Sequence, residues 1–152
     1  MNPIFKKMNF KDQKRILVLF APISFQPNMA EMEPLCEVLT EIRAADKYEY
    51  VLTFAESIKQ LEETMASLKG KFSENDPQLW IAYPKKSSKK YQSDINRDMD
   101  WSFVGEQGFE GVRQIAIDAD WSALRFRQAR FIKTMKRNPK MAISEEGKKK
   151  LQ

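Results

Sequence analysis

The sequence has no histidine, one cysteine (Cys36) and five glycines in 152 residues. Without histidine, the chain cannot build an imidazole general base or a Ser-His-Asp triad. A single cysteine cannot form an internal disulfide or a multi-cysteine zinc site, and it is typical of a reducing compartment. We therefore expect no metal and no resident cofactor.

Long apolar runs are also missing. The longest run, Ile16 to Ile23, is far shorter than the roughly 20 residues that cross a bilayer. Residues 1–30 show no apolar segment followed by a small-residue cleavage site. We expect a cytoplasmic protein with no membrane partner.

The charge is unevenly distributed along the chain. The net charge is +5, and residues 81–152 contain 16 basic and 9 acidic residues. A basic bias attracts anionic small molecules or acidic partners, although scattered lysines more often form a solvated face. No nucleic-acid-binding motif accompanies the charge, so nucleic-acid binding through Arg125 to Arg137 is the weaker alternative. The oligomeric state is left open.

The apolar content is sufficient for one domain, because 42% of the residues are hydrophobic and 11% are aromatic. We expect a single α/β domain over residues 1–137 and a mobile basic tail over residues 138–152. Strand patterns cover Arg15–Ala21, Tyr48–Phe54 and Leu79–Tyr83. Helical spacing predicts helices over Glu31–Arg43 and from Ser57 to Phe72.

The C-terminal part continues this alternation of helices and strands. It predicts a helix from Asp94 to Gly108 with Asp94 as its N-cap, a fourth strand over Val112–Asp118, and a returning strand over Ser122–Arg127. A basic helix is expected over Gln128–Arg137. Together these patterns predict a three-layer Rossmann-like domain, with a mainly parallel sheet of four or five strands and an antiparallel C-terminal hairpin.

Glycine is absent from the turn after the first strand, which reads Ala21-Pro22-Ile23-Ser24-Phe25. Both the dinucleotide-binding fingerprint and the P-loop need glycine at this place, so ordinary NAD and P-loop nucleotide binding are disfavoured. Ser87 and Lys90 have a Ser-x-x-Lys spacing, but they lie in a run of lysines with no companion motif. Chance explains this spacing better than a nucleophile does.

Three clusters in the second half stand out by their order. They are Trp80-x-Ala82-Tyr83-Pro84-Lys85, Asp94-x-x-Arg97-Asp98 and Asp118-x-x-Trp121-Ser122-x-Leu124-x-Phe126. In this order they resemble a family of small, mostly bacterial proteins known only as a domain of unknown function. The resemblance covers about residues 15–127. It implies the α/β fold and marks a candidate site, while leaving the function open.

Ligands of open parallel sheets bind at the carboxyl ends of the strands. The residues that we expect to converge there are Lys85, Lys86, Asp94, Arg97, Asp98, Asp118, Trp121, Ser122 and Arg125. A helix N-terminus beside an arginine favours a carboxylate or a phosphate. In the structural alternative, Arg97 pairs with Asp118 or Asp120, Asp94 caps a helix and Trp121 fills a seam. Magnesium at Asp98, Asp118 and Asp120 is disfavoured by the neighbouring basic residues.

Two functions from different classes agree with these residues. The sequence favours a non-catalytic module that binds an anionic small molecule or an acidic partner at the Lys85/Arg97/Asp118 edge. The alternative is a histidine-independent group-transfer or hydrolytic enzyme that uses carboxylates and lysine. Whether the protein is an enzyme, and which ligand it binds, are left open.

Overall fold

The computed structural model describes residues 1–132, and in this part of the chain it has four α-helices and six strands. The helices are α1 (Pro3–Lys7), α2 (Gln26–Met32), α3 (Ile58–Leu68) and α4 (Ser102–Gly105). The strands are β1 (Arg15–Leu19), β2 (Glu37–Leu39), β3 (Tyr50–Phe54), β4 (Gln78–Pro84), β5 (Phe109–Ala116) and β6 (Trp121–Gln128). The tail expected over residues 138–152, and residues 133–137 of the basic helix expected over Gln128–Arg137, lie outside the described residues. The described half of that helix is wrong, because Gln128 ends β6 and Ala129–Phe131 form a short 3-10 helix.

The six strands form one sheet in the order β2-β1-β3-β4-β6-β5. The first four strands are parallel, and β6 runs antiparallel to both of its neighbours. The register places Val18 of β1 beside Leu52 of β3, and Leu52 beside Trp80 of β4. The predicted parallel neighbours and the predicted C-terminal hairpin are therefore confirmed, in a sheet of six strands.

Core side chains lie on both faces of the sheet, as three layers require. One face holds Leu61 and Met65 of α3. The other face holds Phe5 of α1 together with Met29 and Met32 of α2. Every residue of β3 and β4 is buried, because the parallel centre of the sheet is covered on both sides. No helix within residues 1–132 is long and apolar enough to cross a membrane.

The expected helix over Glu31–Arg43 is wrong. Helix α2 ends at Met32, and β2 begins at Glu37 and pairs with β1. The apolar residues that suggested one helical stripe do not share a face: Met32 and Leu39 belong to opposite core clusters, and Leu35 is exposed. Pairing with β1 has overridden the helical spacing.

The expected helix from Asp94 to Gly108 is wrong over most of its length, because only Ser102–Gly105 is helical. Short polar side chains bind nearby backbone N–H groups instead: Asn96 accepts from Asp98, and Asp100 accepts from Ser102. Such local bonds compete with the helical ladder. The fourth predicted strand begins three residues early, at Phe109, and ends at Ala116.

Candidate functional site

A topological switch lies between β1 and β3, because the chain passes from β1 to β2 on one side and places β3 on the other. The helices that follow these strands pack on opposite faces, α2 on one and α3 on the other. Their connections therefore separate at the carboxyl ends of β1 and β3. Open α/β sheets bind ligands at this position.

A crevice of about 460 Å³ opens there. It is lined by residues 20–24 after β1, residues 54–56 after β3, Gln60, Lys90, Tyr91 and Trp121. The Trp121 ring lies 5.1 Å from the Phe54 ring and 4.9 Å from the Tyr91 ring, between centroids. The charged side chains of this lining are Glu56 and Lys90. The crevice thus combines an aromatic wall with one acidic and one basic side chain.

A second cavity of about 590 Å³, which we call the β2 cavity, lies beside the end of β2. Its lining residues are Leu19, Phe20, Thr40, Glu41, Ile42, Gln60, Glu63, Thr64 and Ser67. Its charged side chains are Glu41 and Glu63, and no described lysine or arginine lines it. Phe20 and Gln60 line both the β2 cavity and the crevice. The two spaces are therefore neighbours, and the β2 cavity is acidic.

Phe20 stands at the boundary of the two spaces in an unusual backbone conformation. Its φ is +59°, in the left-handed region, and its side chain is 61% exposed. A bulky residue rarely adopts this region, and such outliers cluster at functional sites. Phe20 was not predicted as a site residue, because glycine is the residue expected at such a turn. An aromatic residue directly after a buried strand carries no signal for positive φ.

We expect Phe20→Gly to raise the free energy of unfolding by about 0.5–1 kcal/mol, because glycine adopts the left-handed region without the Cβ clash. Urea unfolding measures this change. Asn9→Gly is the matched control. Asn9 has the same φ of +59° and lies outside the lining of both cavities, and asparagine tolerates this left-handed conformation. A Phe20→Gly protein that is less stable than wild type would show that the side chain packs and does not strain the fold.

Trp121 belongs to the crevice, whereas its neighbours Asp118 and Ser122 are structural. Oδ1 of Asp118 accepts hydrogen bonds from the backbone N–H groups of Asp120 and Trp121, at 2.8 and 2.9 Å. Ser122 pairs with Tyr83 inside the sheet and is buried. The Asp118 bonds fix the turn between β5 and β6, and this turn positions the indole of Trp121.

Lys85 and Lys86 lie after β4, as expected, but they line a separate pocket of about 280 Å³. The backbone N–H of Lys85 donates to the carbonyl of Asp120 at 2.8 Å. Tyr91 lines both this pocket and the crevice. The two lysines are thus adjacent to the crevice and outside its lining.

Asp94 is not the N-cap of its own segment; it caps α3. Its Oδ1 accepts from the backbone N–H of Ile58 at 2.8 Å. Ser57, the N-cap of α3, accepts from the N–H of Gln60 at 3.1 Å. The expectation that Asp94 caps its own helix is therefore wrong, because no helix begins at Asp94 and its carboxylate binds the start of α3 instead. The hydrogen bond between Asp94 and Ile58 holds the loop after β4 against the start of α3.

We expect Asp94→Ala to lower the free energy of unfolding by about 1 kcal/mol, the typical cost of removing a cap. Thermal or urea unfolding measures the loss. Ligand affinity at the crevice should stay within about twofold of wild type, because Asp94 is not in the crevice lining. A twofold change in Kd corresponds to less free energy than one hydrogen bond contributes. A loss of ligand binding without a loss of stability would show that Asp94 belongs to the binding site.

The described side-chain contacts of Arg97 are with Gln114 and Asp98, and not with Lys85, Asp118 or Asp120. Arg97 donates to Oε1 of Gln114 at 3.4 Å, and its Nε lies 3.8 Å from Oδ1 of Asp98. Both side chains are exposed. Within residues 1–132, no ion pair joins Arg97 to Asp118 or to Asp120. The pair with Asp98 is of the exposed kind that contributes little.

Arg125 lies away from the carboxyl edge of the sheet. It is opposite Trp80 of β4, in the middle of the sheet, and opposite Arg113 of β5. Burial lowers the pKa of its guanidinium, and the positive charge of Arg127 acts in the same direction. Arg125 therefore does not join the other predicted site residues.

In the described part of the chain, no group of three acidic or thiol side chains converges to hold a metal ion.

The sequence matches no protein-family model and no curated protein. Several solved structures are similar in fold. A SAM-dependent methyltransferase from Aquifex aeolicus has a TM-score of 0.52 at 12% identity, covering 82% of this chain and 87% of that one. The pyocyanin biosynthetic protein PhzM has a TM-score of 0.50 at 10% identity, covering 84% and 53%. A ribosomal protein L11 methylase from Lactobacillus delbrueckii subsp. bulgaricus has a TM-score of 0.49 at 8% identity, covering 82% and 74%.

These comparisons correct the functional expectation. The expected non-catalytic module that binds an anion at the Lys85/Arg97/Asp118 edge is contradicted by the fold comparison, in which the similar structures include a SAM-dependent methyltransferase. The geometry also argues against this module, because the described contacts of Arg97 involve neither Lys85 nor Asp118. The alternative of a group-transfer enzyme without histidine is the better supported one. The chain has the Rossmann-like fold of methyltransferases.

Proposed function

We propose that the protein is a methyl-transfer enzyme, with its donor in the β2 cavity and its acceptor in the crevice. One observation carries the proposal: an acidic cavity adjoins an aromatic crevice at the topological switch of the sheet. The fold likeness supports this function without establishing it, because one fold serves many chemistries. The proposal replaces the sequence-based expectation that the protein uses no cofactor.

The charge of the β2 cavity favours one class of donor. Glu41 and Glu63 line it without a described basic residue, so they repel donors that carry phosphate groups. S-adenosylmethionine has a cationic sulfonium, an ammonium group and ribose hydroxyls, which interact well with carboxylates, and it carries one carboxylate where ATP carries a triphosphate. This electrostatic match separates methyl donors from phosphoryl donors.

The residues present fit S-adenosylmethionine through side chains. Glu41 follows β2, the place from which an acid binds ribose hydroxyls in related nucleotide-binding folds. Glu63 would bind the ammonium group, and the ring of Phe20 would face the cation. The turn after β1 has no glycine, but Phe20 adopts the left-handed conformation that glycine favours. When bound, the cofactor supplies an electrophilic methyl group.

The crevice contributes the acid–base chemistry of the acceptor. The carboxylate of Glu56 is the acidic group of the crevice and would accept the proton that the acceptor loses. The backbone N–H of Glu56 donates to Oε1 of Gln60 at 2.9 Å, which fixes the connection between β3 and α3. The aromatic wall of Phe54, Tyr91 and Trp121 limits the access of water to the reacting atoms.

Calorimetric titration tests the donor class. We expect S-adenosylhomocysteine, the demethylated product, to bind the protein saturably, and ATP to bind at least tenfold more weakly because of its phosphates. Both ligands contain an adenosyl group, so the comparison tests the remainder, which is a thioether-linked amino acid in one ligand and a triphosphate in the other. Equal binding of the two ligands, or binding of ATP alone, would overturn the proposal.

Two expectations from the sequence remain part of this proposal. A cytoplasmic location is supported by Cys36, a free and buried thiol. Membership of the bacterial family of unknown function is supported by the three motif clusters of residues 80–126.

A further inference from the structure

The antiparallel hairpin at the edge of the sheet carries two arginines that lie opposite each other. Arg113 of β5 is the register partner of Arg125 of β6, so both side chains leave the same face of the sheet, with Cβ atoms about 5 Å apart. Within residues 1–132, neither arginine forms an ion pair or a side-chain hydrogen bond. Like charges directly opposite each other destabilise a sheet. We call these two residues the arginine pair.

A β-bulge in the edge strand creates the arginine pair. Gly111 lies opposite Phe126, so a regular ladder would place Val112 opposite Arg125. The register shifts between Gly111 and Arg113 instead, and Arg113 takes the position that Val112 would have on the face of Arg125. Bulges re-aim side chains and are common beside functional sites. The irregular strand therefore favours a binding role for the pair.

The surroundings of the arginine pair leave its charge uncompensated. The Nε atom of Arg125 is enclosed and has no hydrogen-bond partner, whereas its two terminal nitrogens are not among the enclosed atoms and are open to a ligand. The carboxylate of Asp76 is already held by Arg127, through hydrogen bonds of 2.7 to 3.2 Å. Glu110 also lies opposite Arg127, in the next row of the same face, and is fully buried. An anion from outside the chain would supply the missing counter-charge.

We propose that Arg113 and Arg125 bind the phosphate group of a phosphate monoester. Guanidinium groups match phosphate oxygens through paired hydrogen bonds, and a phosphate monoester carries close to two negative charges at neutral pH. Neither arginine lines the crevice or the β2 cavity. The site is therefore separate from both, and it does not depend on the proposed methyl transfer.

Thermal unfolding in the presence of glycerol 2-phosphate tests the site. Two charged donor groups give a Kd in the millimolar range, so a ligand concentration of about ten times Kd should raise the Tm by about 3–5 °C. Sodium chloride at the same ionic strength should raise it by less than about 1 °C, because salt screens charges without filling the site. Equal shifts with the two salts would overturn the proposal.

Dimethyl phosphate distinguishes a monoester from a diester, which is the form of phosphate in a nucleic-acid backbone. It carries one negative charge, so its Tm shift should be at least about threefold smaller than that of glycerol 2-phosphate at the same concentration. Equal shifts would overturn the assignment to a monoester.

Arg113→Gln and Arg125→Met separate ligand binding from a structural role. Each variant removes one of two like charges, so the free proteins should unfold at or above the Tm of wild type. Each should also lose the shift with glycerol 2-phosphate. A structural arginine would behave in the opposite way, because its removal leaves a partner unpaired and lowers the Tm.

Arg97→Gln is the matched control for the loss of one positive charge. Arg97 is exposed and contacts Gln114, the neighbour of Arg113 on β5, and the shift with glycerol 2-phosphate should persist in this variant. A shift that persists in both Arg113→Gln and Arg125→Met, or that is lost equally in Arg97→Gln, would overturn the proposal.

The phosphate site and the donor site are distinguished by two further titrations of Arg113→Gln. The affinity for S-adenosylhomocysteine should equal that of wild type, because Arg113 does not line the β2 cavity. Weak binding of ATP by wild type should be lost in Arg113→Gln, since the phosphates of ATP would occupy the arginine pair. ATP binding that is unchanged in Arg113→Gln would contradict the phosphate site and leave the donor proposal to its own test.

Discussion

Trp121→Ala is expected to lower the free energy of unfolding by about 3–5 kcal/mol, the usual cost of truncating a buried tryptophan. The indole is buried between the rings of Phe54 and Tyr91. Its removal leaves a cavity where β6 meets the ends of β3 and β4. Guanidinium unfolding followed by circular dichroism measures the loss.

Trp121→Phe is the matched control for this prediction. It retains an aromatic ring and removes an N–H that has no described partner, so the cost should stay below about 1.5 kcal/mol. If Trp121→Phe destabilises the fold as much as Trp121→Ala, the N–H has a structural partner. That hydrogen bond would then help to hold the indole in the core.

Glu41→Gln is expected to weaken the binding of S-adenosylhomocysteine about 10- to 100-fold, because hydrogen bonds to a charged group contribute about 1.5–3 kcal/mol. The carboxylate follows β2 and lines the acidic cavity. The amide keeps the shape of the side chain and removes its charge. Calorimetry on the two proteins gives the ratio of dissociation constants directly.

Glu37→Gln is the control for a change of charge near the same strand. Glu37 begins β2, at the opposite end from Glu41, and lies 3.9 Å from Arg43. Exposed pairs of this kind contribute less than about 1 kcal/mol, and we expect ligand affinity to be unchanged. An equal loss in Glu37→Gln and Glu41→Gln would mean that net charge, and not the cavity, governs binding.

The parallel core of the fold was predictable from local pattern. The strands β1, β3 and β4 are runs of mostly apolar residues that are buried on both faces, and such runs are readable in one sequence. Strand β2 was not readable. It is three residues long, and within residues 1–132 it pairs with β1 alone. Its formation therefore depends on a partner strand that sequence spacing does not show.

The candidate site was only partly predictable, for a related reason. Trp121 and the loop after β4 were placed correctly at the carboxyl edge. Arg125 was misplaced because the position of its strand along β4 sets its distance from that edge. Glu41, Glu56 and Phe20 were missed because each follows a strand singly, without a motif. Their proximity arises from the order of the strands in the sheet.

A crystal structure of the protein with S-adenosylhomocysteine tests the central claim most directly. We expect the ribose hydroxyls to lie within hydrogen-bond distance of the Glu41 carboxylate and the sulfur to lie beside Phe20, at the boundary with the crevice. Ligand bound elsewhere, or a β2 cavity that stays empty at saturating ligand, would contradict the assignment of the donor site.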